Sequence, residues 1–145
     1  MTYLTFAAEF NAVHRLWNDA LSREDNIDVF GECANPAGHG HKYRIEVTLA
    51  RAIDAANPVV YGRRRIEALV NDVLAPRLKH GDLNTSFGID GFVSTGENVT
   101  RALWELIEPE VPADLKLVAL KVVETPKNSF VYFGKGTDAP RVSLC

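Results

Sequence analysis

Two segments in the first third of the chain alternate between apolar and polar residues, which is the pattern of strands with one buried face. In the first segment the even-numbered positions form the apolar face: Leu4, Phe6, Ala8, Phe10, Ala12, His14 and Leu16. In the second segment the odd-numbered positions form it: His39, His41, Tyr43, Ile45, Val47 and Leu49. Residues 17–38 join the two strands and are expected to form a long irregular loop, a kind of segment that is commonly functional. The stretch "NPAG" at 35–38 predicts a type I turn just before the second strand.

Two amphipathic helices are predicted in the middle of the chain. Five apolar residues recur there at helical spacing: Ile66, Leu69, Val70, Val73 and Leu74. Pro76 predicts that this helix ends near that position, and Thr95 precedes a second helical pattern that Pro109 and Pro112 close. The segments "LKLVALKVVET" and "SFVYFG" then predict two more strands around a short turn. The predicted order is ββααββ, an α+β fold in a single domain over residues 1–145.

Composition narrows the class of protein. With 46% hydrophobic and 24% charged residues, the chain resembles an ordinary globular domain. A formal net charge of -3 provides no basic surface for nucleic acid, and "GRRR" at 62–65 is interpreted as the solvated start of a helix. No apolar run approaches the ~20 residues of a membrane span, and the first residues lack a basic signal-peptide region. Because Cys33 and Cys145 do not make a disulfide framework, we expect a cytoplasmic protein with free thiols.

Three histidines are predicted to meet at one end of the sheet. If the first two strands pair antiparallel, His14 at the end of the first strand lies beside His39 and His41 at the start of the second strand, on the same face of the sheet. Three imidazoles with an open fourth position are the ligand set of a catalytic zinc ion; the alternative is a buried structural histidine beside a tight glycine turn. Cys33, on the loop above, would be a general base if a cation favours its thiolate, and otherwise an inert buried thiol.

Five short stretches, in this order, carry a family resemblance: "FNAVHRL", "CANPAGHGHKY", "LKHGDLN", "VSTGENV" and "KVVET". Together they resemble the 6-pyruvoyl-tetrahydropterin synthase family, which includes the 6-carboxy-tetrahydropterin synthases. The resemblance implies the tunnelling fold, a four-stranded antiparallel sheet with two helices on one face. It also implies trimeric barrels that pair into hexamers, with active sites between subunits and a pterin-like substrate.

The resemblance also implies a role for each matching residue. The matches are His14, His39 and His41 for the zinc ligands, Cys33 for the catalytic cysteine, His80 for the proton-relay histidine, Thr95 for the loop that closes on the pterin, and Glu124 for the carboxylate that anchors the pterin ring. The strand pattern agrees for Glu124, which shares its parity with Val118, Leu120 and Val122. A carboxylate ending an apolar face needs a partner, and a pterin offers an N–H and an amino group side by side. The alternative is a strand-end glutamate that reaches water.

The family pattern is broken next to His80. Lys79 stands where the family has the aspartate of its relay, and Gly96 takes a position often filled by threonine. An ammonium beside His80 disfavours the protonated imidazole and accepts no hydrogen bond, so we expect the family reaction, triphosphate elimination from a dihydroneopterin-triphosphate-like substrate, to be altered, slow or absent. The alternatives are that Lys79 points to solvent and His80 works alone, that the chain is a silent pterin-binding homologue, or that it is a zinc hydrolase of a purine-like ring.

Overall fold

The computed structural model describes residues 1–53, 56 and 62–136. In chain order the elements are strand β1 (Thr2–His14), helix α1 (Arg23–Phe30), strand β2 (His39–Arg51), helix α2 (Arg63–Leu78), helix α3 (Gly96–Ile107), strand β3 (Lys116–Thr125) and strand β4 (Asn128–Tyr132). Short 3-10 turns occupy Gly31–Ala34 and Glu108–Glu110. Residues 54, 55, 57–61 and 137–145, which include Cys145, lie outside the described residues.

The four strands form one antiparallel sheet, as predicted, and their order in the sheet is β1-β2-β3-β4. β1 and β2 pair along their whole length, from Thr2 opposite Arg51 to His14 opposite His39. A bulge between Thr48 and Leu49 shifts the register of β2 against β3. The first part of β3 therefore departs from the expected parity: Leu117 is buried, whereas Val118 is only half-buried.

The hydrophobic core lies between one face of the sheet and helices α2 and α3, because α2 packs on β1 and α3 packs on β3 and β4. Its fully buried side chains come from both layers and include Ile45, Val47, Leu49, Val70, Leu74, Leu103, Ile107, Leu120 and Val122. Thr95 caps α3, since its side chain accepts a hydrogen bond from the Asn98 amide. Within the described part of the chain, no helix is long and apolar enough to cross a membrane.

The irregular loop expected between β1 and β2 is a wrong prediction in its central part, which is helix α1. Ser22 caps this helix by accepting from the Asp25 amide, and Glu24 and Asp25 place negative charge in its first turn. Asn26, fully buried, donates to the carbonyl oxygens of Asn18 and Ser22 at 3.0 and 2.9 Å. These polar contacts fold the segment without an apolar stripe, so hydrophobic periodicity could not reveal it.

The first amphipathic helix ends near Pro76, as predicted, although α2 continues past the proline to Leu78. Proline removes the bond to the carbonyl of the residue four positions earlier, which here is Asp72, an exposed residue. Leu74 and Leu78 are both buried, and their packing stabilises the extra turn. The exposed Arg63, Arg64 and Arg65 confirm that the basic run is the solvated start of this helix.

Candidate metal and substrate site

The structure brings the three predicted histidines together where β1 ends and β2 begins. His14 is paired with His39 across the strands, and His41 follows on the same face. The Nε2 atoms of His14 and His39 are 3.0 Å apart, and one ring nitrogen from each of the three side chains lies within 4.8 Å of the others. Three imidazole nitrogens in such a cluster could hold a metal ion.

The turn before β2 brings His39 close to His14. The amide of Gly38 donates to the Asn35 carbonyl at 2.9 Å, as the predicted type I turn requires. Gly38 has a φ of 66°, and a Cβ at this position would lie 3.0 Å from the backbone oxygen of His14. Glycine therefore allows the turn to pack directly on the end of β1, which places His39 beside His14.

Hydrogen bonding selects the tautomer of His14. Its Nδ1 lies 3.1 Å from the backbone oxygen of Ser94, and because a carbonyl only accepts, Nδ1 carries the hydrogen. Nε2 is then unprotonated and faces the cluster, which is the orientation that a metal-binding histidine adopts when its other nitrogen is held. Burial lowers the pKa of His14 and of His39, so both favour the neutral form that binds metal.

Glu124, predicted to bind the pterin ring, lies directly beside the histidines. Its Oε1 atom is 3.5 Å from Nε2 of His14 and 3.9 Å from Nε2 of His41. The contact to His14 is not a hydrogen bond, because this nitrogen has no hydrogen in the tautomer that Ser94 selects. The carboxylate is half-buried, so it is partly withdrawn from water and available as an acceptor toward a ligand in the cluster.

Cys33 lies in the 3-10 turn that follows α1, above the same strand ends. Two contacts hold this turn in place: the Leu16 amide donates to the Cys33 carbonyl at 2.9 Å, and Nε of Arg15 donates to the Ala34 carbonyl at 2.8 Å. Cys33 is a half-buried free cysteine, and burial, with the nearby carboxylates of Glu124 and Glu32, raises the pKa of its thiol. The side chain is therefore a protonated thiol, and the expected thiolate needs a cation close by.

Tyr43 belongs to the site although no role was predicted for it from the sequence. It follows His41 on the same face of β2, is 2% exposed, and its ring centroid lies 6.0 Å from that of His14 and 5.7 Å from that of His41. Its buried hydroxyl makes no hydrogen bond of standard geometry, but the Glu124 carboxylate lies near enough to interact with it. Burial raises the pKa of this hydroxyl, and the neighbouring Glu124 raises it further. Tyr43 shares the odd-numbered face of β2 with His39 and His41, and this pattern could have placed it in the site from the sequence.

His80, the predicted relay histidine, lies outside this cluster. It follows α2 and its segment pairs with the outer edge of β1, where the His80 amide donates to the Asn11 carbonyl at 2.8 Å. His80 and Lys79 are both exposed. A surface depression of about 400 Å³ is lined by His80, Lys42 and His41 among others, but Cys33 is not among its lining residues. Within one chain, His80 and Cys33 are not brought together.

The backbone of His80 is unusual. Its φ is 58°, in the left-handed region that glycine or asparagine normally occupies just beyond a helix end. Other residues adopt this conformation at a cost of about 1–2 kcal/mol, so histidine is not the residue that local stability would select. Thr95, in contrast, has the ordinary role of a helix cap, but it adjoins Ser94 and so connects the start of α3 to the His14 imidazole.

The fold agrees with comparisons to known proteins. A family model described as 6-pyruvoyl tetrahydropterin synthase matches residues 3–135. The chain is 35% identical to the 6-pyruvoyl tetrahydrobiopterin synthase of Poecilia reticulata over 134 residues, covering 92% of this chain and 90% of that protein. It is 36% identical to the Homo sapiens protein of the same name over 128 residues, covering 87% of each.

The solved structure of Caenorhabditis elegans 6-pyruvoyl tetrahydropterin synthase is also similar. It matches with a TM-score of 0.80 and 32% sequence identity, and the match covers 92% of this chain and 95% of that one. The chain therefore belongs to the 6-pyruvoyl tetrahydropterin synthase family. The resemblance expected from its motifs, and the four-stranded antiparallel fold, are confirmed.

Proposed function

We propose that this chain is a zinc-dependent, pterin-binding enzyme of the 6-pyruvoyl/6-carboxy-tetrahydropterin synthase type, acting on a substrate like dihydroneopterin triphosphate. The observation that carries the proposal is the convergence of three imidazoles with a half-buried carboxylate beside them. Membership of the family supports the same conclusion, since its named relatives are tetrahydropterin or tetrahydrobiopterin synthases.

The donor set suits Zn²⁺. His14, His39 and His41 offer imidazole nitrogens, a borderline ligand that zinc accepts in catalytic sites with three protein ligands. The burial that lowers the pKa of His14 and His39 keeps protons from competing for these nitrogens. Bound there, the ion would supply Lewis acidity toward a hydroxyl or carbonyl oxygen of the substrate side chain.

In this proposal Glu124 recognises the pterin ring. A carboxylate accepts two parallel hydrogen bonds, and the ring presents an N–H and an amino group side by side. The half-buried position strengthens such bonds, because less water competes for the carboxylate. Cys33 is the proposed catalytic residue for proton movement at the substrate side chain, where a nearby cation would favour its thiolate. Thr95 is proposed to lie near the substrate through the loop that precedes α3.

The proposed relay through His80 requires a second copy of the chain. Among the described residues, no strand continues the sheet beyond β1 or β4, although the segment after α2 bonds to the end of β1 at Asn11 and Val13. The remaining length of both edges can pair with another copy. We propose the trimeric barrel and the hexamer of two trimers that the family resemblance implies. His80, exposed at the β1 edge, would then face a neighbouring subunit. We also propose a cytoplasmic location, supported by the free thiol of Cys33.

A second candidate is a pterin-binding protein without turnover. Lys79, in place of the relay aspartate, favours it. The loss of an orienting aspartate from the comparable serine-protease triad costs about 10⁴-fold in turnover. In this alternative Glu124 and the histidines keep the pocket, and Cys33 has no role in binding.

The test combines metal analysis with a turnover and binding assay. Purified protein should contain close to stoichiometric zinc, and it should convert dihydroneopterin triphosphate to a pyruvoyl or carboxy product that Cys33→Ala no longer forms. Binding without turnover, strongly weakened in Glu124→Gln and kept in Cys33→Ala, would instead establish the second candidate. Lys79→Asp should raise turnover if the lysine limits the relay. Absence of both zinc and pterin binding would overturn the proposal.

A further inference from the structure

We propose that Tyr43 is a positioning residue, whose buried hydroxyl donates a hydrogen bond to Glu124 and so orients the carboxylate for the bound heterocycle. This inference rests on the proposed function, because only that function gives the Glu124 carboxylate a ligand to bind. Its independent basis is a polar atom that is buried in the site, makes no hydrogen bond of standard geometry, and has the Glu124 carboxylate as its neighbouring acceptor.

The strand register places the two side chains together. Arg44 pairs with Val123 across β2 and β3, so Tyr43 and Glu124, one step further on each strand, are cross-strand neighbours. Both lie on the face of the sheet that carries Ile45 and the core. Directly opposite side chains on antiparallel strands have Cβ atoms about 4.5–5.5 Å apart. A tyrosine hydroxyl and a glutamate carboxylate therefore need only side-chain rotation to meet.

The chemistry of the two groups is complementary. An ionised carboxylate is an acceptor only, whereas the phenol of tyrosine is a donor at neutral pH. In the structure the carboxylate leans toward the imidazoles, with Oε1 3.5 Å from an unprotonated nitrogen of His14, and this contact supplies no hydrogen bond. A ligand that offers two donors to Glu124 would draw the carboxylate away from His14. The Tyr43 hydroxyl would then donate a hydrogen bond to a carboxylate lone pair that the ligand leaves free.

A buried hydroxyl without a partner has a cost in the ligand-free protein. Native proteins satisfy the large majority of buried polar atoms, and Tyr43 is 2% exposed. Phenylalanine would fill the same space and remove the unpaired hydroxyl. A tyrosine kept only for packing has no need of this atom. The hydroxyl is therefore explained by a partner that it gains when the site is filled.

The test uses Tyr43→Phe, with the exposed Tyr3→Phe as the matched control. In the metal-free protein the melting temperature of Tyr43→Phe should be unchanged or raised by up to about 4 °C, because an unpaired buried hydroxyl is removed. Bound zinc per chain should not change. Affinity for neopterin, measured by fluorescence titration of the zinc-loaded protein, should fall by roughly ten-fold or more, as expected for a lost hydrogen bond to a charged group. Tyr3→Phe should change none of these three quantities.

A double-mutant cycle with Glu124→Gln separates the outcomes. The effect of Tyr43→Phe on neopterin affinity should largely disappear in the Glu124→Gln background, because the hydroxyl acts through that carboxylate. An equal effect in both backgrounds would show direct contact with the ligand and overturn the positioning role. Unchanged affinity, or a lowered melting temperature in the metal-free protein, would overturn it as well. If the wild type does not bind neopterin, the proposed function falls, and this inference falls with it.

Discussion

Gly96 provides a test of how tightly the start of α3 is packed against the sheet. It is the first residue of the helix that Thr95 caps, and it is buried. A Cβ placed on Gly96 would overlap three ring atoms of Phe130 on β4, so glycine is required by the close approach of that ring. The ring occupies the space that any larger side chain at position 96 would need. We therefore predict that Gly96→Ala destabilises the protein.

Two effects of opposite sign decide the magnitude. Alanine is favoured over glycine by up to about 1 kcal/mol inside a helix, and the gain is smaller at a helix start. Forcing extra volume into a packed site costs about 1–3 kcal/mol. Phe130 is half-buried on an edge strand, so its ring can partly move aside. We expect a net loss of about 1–2 kcal/mol, which for a chain of this size lowers the melting temperature by roughly 2–8 °C.

The assay is urea denaturation at a fixed protomer concentration, because assembly would shift apparent stability by mass action. Gly62→Ala is the control: it also lies at a helix start, but its Cβ would make an ordinary 3.6 Å contact with Arg65. In a Phe130→Leu background the cost of Gly96→Ala should shrink by more than about 0.5 kcal/mol, the usual limit of additivity. A Gly96→Ala protein as stable as the wild type, or an undiminished cost once the Phe130 ring has been removed, would refute the reasoning.

Three further predictions concern the site. His80→Asn should raise the free energy of unfolding by up to about 1 kcal/mol, because asparagine tolerates positive φ, and it should lower any turnover. Urea denaturation measures the first effect and product formation the second. A loss of stability would contradict the strain argument. In a Cys145→Ser background without metal, Glu124→Gln should speed alkylation of Cys33 by iodoacetamide at pH 8, since one cause of its raised pKa is removed; an unchanged rate would exclude that influence. Chelation should lower the melting temperature and added zinc restore it, by about 2.7 kcal/mol at a hundred-fold excess over Kd, whereas His14→Ala should show no such response.

Most of the sheet could be predicted because each strand buries one face. The alternation that ends in His14 and the one that begins at His39 were sufficient to predict both the pairing and the convergence of three imidazoles. Helix α1 could not be predicted in this way, since its stability comes from the Ser22 cap and from the buried amide of Asn26. The turn of α2 beyond Pro76 depends on the burial of Leu78, which only the assembled core reveals.

The fine structure of the site depended on contacts between residues distant in sequence. Parity alone placed Glu124 on the right face, but not within 3.5 Å of the His14 imidazole. The tautomer of His14 depends on the carbonyl of Ser94, eighty positions away, and the proposed role of Tyr43 depends on Glu124, its neighbour on the next strand. Each of these facts is a relation between strands and loops, and no single segment of sequence contains it.

The effect of Lys79 depends on the positions of two groups of residues in the proposed site. The histidine cluster, Glu124 and Cys33 are assembled by one chain, whereas His80 and Lys79 are exposed at the outer edge of β1. In a single chain the lysine is solvated, and its charge does not act on the cluster. In the proposed assembly the same edge meets another subunit, where desolvation would make an ammonium beside His80 costly unless it gains a carboxylate partner. The substitution thus bears on assembly and on proton transfer together, while metal binding and pterin recognition are left to residues that one chain already holds in place.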